Sequence, residues 1–298
     1  MVNHIHEIER LNKEYINLIN SNIYKNGLKI EWLKNFKIIM LLKVFIRKIK
    51  FYTVKEQFNN VNLDISTQRR LEKEGDKQLR IVIYTCITGK YDKLTKPYFF
   101  SDNIEYILYS NDIRCEGWLQ KEIPTDIKLS NSMINRYIKF HPYELFENNF
   151  DYAIYIDGNI TPVSDLSVLC EMISKDIGIG FHKHYSRDCV YEESKACKIL
   201  KKGNRKKINQ QLQKYKDKGL PKKYGLIEGN FIIYDLHNKK GKDIVDQLWK
   251  ELISSQSGRD QLAWPYILWK NNIKIDEVCT LGNNVYNNVK IRIQGHSK

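Results

Sequence analysis

From residue 79 onward the chain alternates short apolar runs with amphipathic ones. "LRIVIYTCITGKYD", "IEYILYS", "DYAIYID", "DIGIGF" and "GLIEGNFIIYD" are dense in β-branched and aromatic residues, which predicts strands. Between them, "SNSMINRYIKFHPYELF" places Met133, Ile134, Tyr137, Ile138 and Leu145 at spacings of three and four, the period of a helix. "LSVLCEMISK", "KDIVDQLWKELISS" and "QLAWPYILWKNN" also read as helices, and "NRKKINQQLQKYKDKG" as a charged surface helix stopped by Gly219. Strands alternating with helices predict an α/β sheet covered on both faces.

Residues 1–78 are patterned differently. They are helix-like, rich in Lys, Asn, Ile and Leu, without proline and with only Gly27 and Gly75. The charged stretch "LEKEGDKQLR" suits a linker, so the sequence divides into a helical extension, 1–78, and a main domain, 79–298. Lys25 to Lys55 carries nine basic residues against the single acid Glu31, with Trp32, Phe36, Phe45 and Phe51 among aliphatics. Such a segment suits a helix lying on an anionic membrane surface, or one packing on the main domain or on a second subunit.

At 298 residues and 42% hydrophobic content the chain fills a sizeable core. Its net charge of +14 predicts attraction to anionic partners. Sixteen basic against nine acidic residues fall at or before Arg80, so half of the excess lies in the first eighty residues; no nucleic-acid reader motif accompanies it. Six cysteines without a CxxC indicate neither a zinc ribbon nor a disulfide framework and fit a reducing cytoplasm. The N-terminus shows no secretory signal pattern, and the apolar runs are broken by Lys37, Lys43 and Arg47 before they reach spanning length.

Candidate chemistry begins at "YIDGNI", residues 155–160. Ligands of open α/β sheets bind beyond the carboxyl ends of strands, where Asp157 falls if "YAIYI" is a central strand. A carboxylate beside an amide oxygen suits Mg²⁺ or Mn²⁺ bound together with phosphate oxygens; Asp-Gly-Asn also suits a plain turn. Arg136 and Lys139 share a helical face from which they could reach a diphosphate, or simply face solvent. "HKHYSRDCVYEE" gathers His182, His184, Arg187, Asp188, Glu192 and Glu193 without the further ligands a zinc site needs; a capped helix starting at Ser186 or Asp188 is the alternative. Small Gly229 between Glu228 and Asn230 leaves room for a ring against the backbone, and Asp260 in "SGRDQLAW" suits either a functional carboxylate or a helix N-cap.

In order along the chain, "YTCITGKYD", "KFHPYELF", "YIDGNI", "HKHYSRDCVYEE", "KKYGLIEGNFIIYDLHN" and "GRDQLAWPY" resemble the TOD/MUCI-type glycosyltransferase-like domain of plants and bacteria, over about Leu79 to Ile275. The resemblance implies a GT-A-like, Rossmann-like mixed sheet flanked by helices. Its first strand would hold base and ribose, through Tyr84, Thr85 and Thr88, with Tyr91 stacking on a uracil and Asp92 accepting hydrogen bonds. Arg136, Lys139, Arg187 and Arg259 would meet phosphate. His182, Glu193, Gly229, Asn230, Gln261 and Trp264 would line the sugar and acceptor pocket, Trp264 as a stacking platform. Asp157, Glu228 and Asp260 would be the catalytic carboxylates. Asp157, Asn159 and the late His296 would hold Mn²⁺ or Mg²⁺, with Asn159 departing from the family's second aspartate and so weakening the metal.

The resemblance implies transfer of a hexose from a nucleotide diphosphate sugar, UDP-linked, to a bacterial surface-polysaccharide or lipid-linked acceptor. The protein would work in the cytoplasm or peripherally on the inner face of the plasma membrane, as a monomer or an oligomer and without nucleic acid. A metal-dependent sugar-nucleotide or phosphoester hydrolase is the rival enzyme, and a basic membrane- or nucleic-acid-binding protein the rival outside enzymes.

Overall fold

The structure is a computed structural model that describes residues 2–34, 78–123, 129–146 and 149–295. Two helices, α1 (Val2–Asn20) and α2 (Asn22–Lys34), come first. Then follow β1 (Ile81–Cys86), β2 (Ile104–Tyr109), β3 (Leu119–Lys121), α3 (Asn131–Phe140), α4 (Pro142–Leu145), β4 (Tyr152–Ile156), β5 (Ile160–Pro162), α5 (Ser167–Cys170) and β6 (Ile179–Lys183). The chain continues with α6 (Val190–Ile199), α7 (Arg205–Asp217), β7 (Ile227–Asp235), α8 (Lys239–Ser255), α9 (Asp260–Lys270), α10 (Ile275–Val278) and β8 (Ile291–Ile293).

Six strands form one mixed sheet in the order β3-β2-β1-β4-β7-β6, with β7 antiparallel to both its neighbours. β1 is buried over its whole length, as expected of a parallel strand covered on both faces. Its side chains alternate between two cores. Val82, Tyr84 and Cys86 pack with α3, α8 and α9 through Ile138, Leu248 and Leu262, whereas Ile81 and Ile83 join Leu166 and Leu169 on the other face. This is the predicted α/β architecture, helices on a mixed sheet with a helical N-terminal stretch.

Local chemistry explains the departures. The helix expected through residue 146 breaks into α3 and α4 because Pro142 lacks an N–H and pushes His141 out of helical geometry, to φ −122° and ψ 39°. The segment "LSVLCEMISK" keeps only the single turn of α5. Three-residue strands β3, β5 and β8 are too short to carry a period, and β5 and β8 pair with each other as a separate antiparallel ribbon.

α1 is fastened to that ribbon. Asn12 is buried and its amide donates to the carbonyls of Val289, at 2.8 Å, and Ile291, at 2.9 Å. One turn earlier, Glu9 receives the Lys290 ammonium at 2.6 Å and the Ser164 hydroxyl, all in a buried setting. The basic segment expected between Lys25 and Lys55 lies beyond residue 34 for the most part, outside the described residues. Among the described residues no helix is long and apolar enough to cross a membrane.

Candidate functional site

The carboxyl ends of β1, β4 and β6 lie along one edge of the sheet, and because β7 runs the other way its first residues join them there. A register shift between Phe181 and His182 sharpens this. Phe181 pairs with Ile232 but His182 with Glu228, so Gly229 to Phe231 bulge away from β6. The bulge brings Glu228 beside His182 and lets the Asn230 carbonyl accept from the Asp157 backbone N–H at 2.9 Å.

Asp157 ends β4 at the sheet edge. The buried Tyr155 hydroxyl donates to its Oδ1 at 3.0 Å, and burial, with Asp157 next, holds that phenol well above its usual pKa and therefore protonated. Asn135, from α3, bridges Tyr155 to β1 by donating to the Cys86 carbonyl at 2.6 Å. Gly158 is needed for contact: a Cβ there would lie 2.6 Å from Ile87 Cδ1 and 3.3 Å from the Asp92 Cβ. Asp92 is buried there, whereas Tyr91 next to it is exposed. Asn159 spends its amide nitrogen on the Gln294 carbonyl, at 2.7 Å, and its own carbonyl accepts from the Gln294 N–H, so it staples the segment after β8 to the site.

Ionic groups pack behind Asp157. Lys139 Nζ donates to Asp260 Oδ2 at 2.9 Å, with Arg136 Nε 3.5 Å from Oδ1. Burial alone would raise the Asp260 pKa, but Lys139, Arg136 and Arg259 override it and hold the carboxyl well below the usual range. Arg187 Nε donates to Glu193 Oε2 at 2.6 Å, both side chains buried. Glu228 is different: burial, then the neighbouring Glu193 and Asp157 charges, push its pKa up to about 8, and its Oε2 is buried without a hydrogen-bond partner. Arg259 Nε, Asn230 Oδ1 and His182 Nδ1 are likewise buried and unpartnered. Such groups are costly unless something completes them, and their gathering at one edge points to a ligand-binding cleft.

Histidines here are neutral. Burial pushes His182 down to about 3 and His184 to about 4. His182 Nε2 faces the Asn288 amide at 3.2 Å, and His184 Nδ1 accepts the backbone N–H groups of Ser186 and Arg187. The helix that follows starts at Val190, with Cys189 as its cap, rather than at Ser186 or Asp188.

Several residues expected to touch ligand serve the core instead. Trp264 is 0% exposed, its ring set edge-on against Phe181 and Phe140, so it offers no platform to a sugar. Tyr84 is fully buried and its hydroxyl donates to the Lys139 carbonyl at 2.9 Å, joined there by Tyr234 at 3.1 Å. These two phenols satisfy a carbonyl left open at the end of α3, and so fix where Lys139 stands. Thr85 is 0% exposed inside the sheet, and Thr88 donates to the Asn131 carbonyl at the start of α3. Arg136 and Lys139 are not a solvated face, since both turn to Asp260. Asp260 is not the N-cap of α9; Arg259 is, and Asp260 occupies the first turn, where a negative charge suits the helix dipole. Gln261 donates to the Ile227 carbonyl, and Gly229 lies over Asp260 and Gln261. His296 is outside the described residues. Asn135, Tyr155 and Asn288 escaped the sequence reading because their roles depend on which strands become neighbours.

A family profile for the TOD1/MUCI70 glycosyltransferase-like domain matches residues 121–293, more than half of the chain. The chain belongs to that family. The TOD1/MUCI70 match takes in β4, β6, β7 and α9, while β1 precedes it and joins the same sheet by pairing with β4. Among solved structures, the chain is similar to mouse xyloside xylosyltransferase 1 in its apo form, at 9% identity, 70% of this chain, 84% of that one and a TM-score of 0.41. It is similar to the WbbM bifunctional glycosyltransferase at 11% identity, 63% and 37% coverage and a TM-score of 0.37. It is also similar to galactosyltransferase LgtC in complex with donor and acceptor sugar analogues, at 13% identity, 63% and 69% coverage and a TM-score of 0.35. Values this low leave the TOD1/MUCI70 match to carry the assignment. Curated proteins return no match.

Proposed function

We propose that this protein transfers a hexose from a nucleotide diphosphate sugar, UDP-linked, to a glycan or lipid-linked acceptor of a bacterial surface polysaccharide, working in the cytoplasm or on the inner face of the plasma membrane. The observation that carries the proposal is the convergence, at the ligand-binding edge of the sheet, of Asp157 with a buried Lys139–Asp260 pair and the unpartnered side-chain atoms Glu228 Oε2, Asn230 Oδ1 and Arg259 Nε. Leaving of a diphosphate builds negative charge, and the three cations Lys139, Arg136 and Arg259 around the single Asp260 carboxylate, with the paired Arg187 nearby, leave a net positive, preorganised setting for it. Glu228, neutral below about pH 8, donates a hydrogen bond to a sugar hydroxyl, with Asn230 accepting another. Asp260 stays charged, its cations orienting it toward sugar hydroxyls across the open Gly229 backbone.

Among the described residues no group of three His, Cys, Asp or Glu could hold a metal ion. Asp157 and the Asn159 Oδ1, left over once the amide nitrogen is used on Gln294, fit an Mg²⁺ or Mn²⁺ that keeps water and phosphate oxygens for its other positions. Such an ion supplies Lewis-acid neutralisation of the departing diphosphate.

A thermal-shift screen against UDP-, GDP- and CDP-sugars, with and without Mn²⁺, tests the proposal on wild type and Asp157→Ala. A ligand at a hundred times its dissociation constant adds roughly 2.7 kcal/mol. The expected result is a metal-enhanced response to UDP-sugars that Asp157→Ala loses. A folded protein indifferent to every donor would refute the reading, and turnover without acceptor would make it a hydrolase.

A further inference from the structure

Beyond the sheet edge lies a second concavity, a cavity of about 380 Å³ lined by Lys183, Lys222, Lys223 and Lys274 against Asp188 and Asp276. Its size is at the small end of ligand pockets. One aspartate is already used: Lys183 Nζ holds Asp276 at 2.7 Å. Among the described residues no ion pair holds the Lys222, Lys223 or Lys274 ammonium; the Glu277 carboxylate accepts the Lys274 backbone N–H at 2.7 Å, so four lysines stand against the three acids Asp188, Asp276 and Glu277.

The walls are held in place. Gly225 takes φ +106°, and a Cβ on it would stand 2.8 Å from Ile275 Cγ1, so only glycine lets the Lys222–Gly225 loop lie against α10. The Tyr224 hydroxyl donates to the Ile273 carbonyl at 2.6 Å, and the Gly225 N–H donates to the Asp188 carbonyl at 2.8 Å. The cavity and the cleft are neighbours along β6. Lys183 pairs with Ile227 where the preceding residue, His182, pairs with Glu228, so the two sites share adjacent residues of β6 and β7.

We propose that this cavity is an anion subsite that receives a phosphate group carried by the acceptor, an assignment of substrate class that rests on the glycosyltransferase reading. Ammonium groups are point charges suited to phosphate, and the small volume suits a single such group better than an extended polyanion. The phosphate would belong to a sugar phosphate or to a phospholipid-linked acceptor.

Full-length wild type and a Lys222→Ala/Lys223→Ala/Lys274→Ala variant would be titrated with inorganic phosphate, against sodium chloride at equal ionic strength, with thermal stability and calorimetry as readouts. The expected result is phosphate binding by wild type that weakens at least tenfold in the variant, while the response to UDP-sugars is the same in both. No phosphate effect on wild type, or an equal effect on both proteins, would overturn the subsite. A hexose 1-phosphate and phosphatidylglycerol-containing vesicles, the latter against pure phosphatidylcholine, then separate the two sources; loss of either interaction in the variant supports the subsite. Phosphate binding that needs the lysines in a protein blind to every nucleotide sugar would sink the donor assignment and leave the anion subsite standing.

Discussion

Lys139, near the end of α3, and Asp260, in the first turn of α9, meet as a buried ion pair, Nζ to Oδ2 at 2.9 Å, with side chains 6% and 10% exposed. Residues 121 apart in sequence are thereby locked together beneath the cleft. Removing one partner of such a pair strands the other, at about 3–5 kcal/mol. Asp260→Ala is therefore expected to lose that much stability in urea denaturation, and Lys139→Met/Asp260→Leu less than the sum of its single changes. The Asp260 carboxyl is held below its unfolded value, so its contribution is complete above that value and lost as pH falls through the folded one. The gap between wild type and Asp260→Asn should stay level from about pH 5 to 8 and close below about pH 4.

Glu228 titrates in the opposite sense. Its pKa, raised to about 8, means the folded state keeps a proton the unfolded chain has released, so this residue erodes stability as pH rises from the ordinary glutamate value to about 8. Glu228→Gln should gain on wild type across that window, by up to a few kcal/mol, and match it at acid pH. The transfer rate of wild type should fall with an apparent pKa near 8 that Glu228→Gln abolishes. A rate profile unchanged by the substitution would remove Glu228 from the sugar site.

Trp264 separates packing from binding. Trp264→Ala should cost about 3–5 kcal/mol, since the whole ring is buried against Phe140 and Phe181. Nucleotide-sugar affinity of the fraction still folded should be unchanged, as measured by calorimetry on native protein. A selective rise in KM would place the indole against substrate after all.

Gly158 has no room for a side chain. Gly158→Ala brings a methyl to 2.6 Å from Ile87 Cδ1, and overpacking of this kind costs about 1–3 kcal/mol. Ile87→Ala should restore part of the Tm lost by Gly158→Ala even though it opens space in wild type. Additive losses in the double variant would mean that the two residues do not meet.

Asn12 tests the fastening of α1. Asn12→Leu leaves the carbonyls of Val289 and Ile291 without their donor, at about 1–3 kcal/mol. Hydrogen exchange should quicken in β8, and with it around Gln294, which Asn159 holds beside Asp157. Unchanged protection in β8 would make α1 a bystander.

What the sequence determined by itself was local and periodic. The apolar, β-branched and aromatic runs that became β4 and β7, the helical spacing in α3 and α8, and the positions of Asp157 and Glu228 at strand ends were legible because each depends on neighbours in the chain. The motif order sufficed to suggest the family, and with it the architecture. Tertiary structure decided which carboxylate meets which cation. Arg136 and Lys139 looked like a surface pair until α9 brought Asp260 to them, and Trp264 looked like a platform until Phe140 and Phe181 closed around it. Glu228 faces His182 only because β7 runs antiparallel and bulges against β6. Burial and pairing are sums over distant segments, and the cost of an uncompensated charge depends on that sum rather than on the residues beside it in the chain.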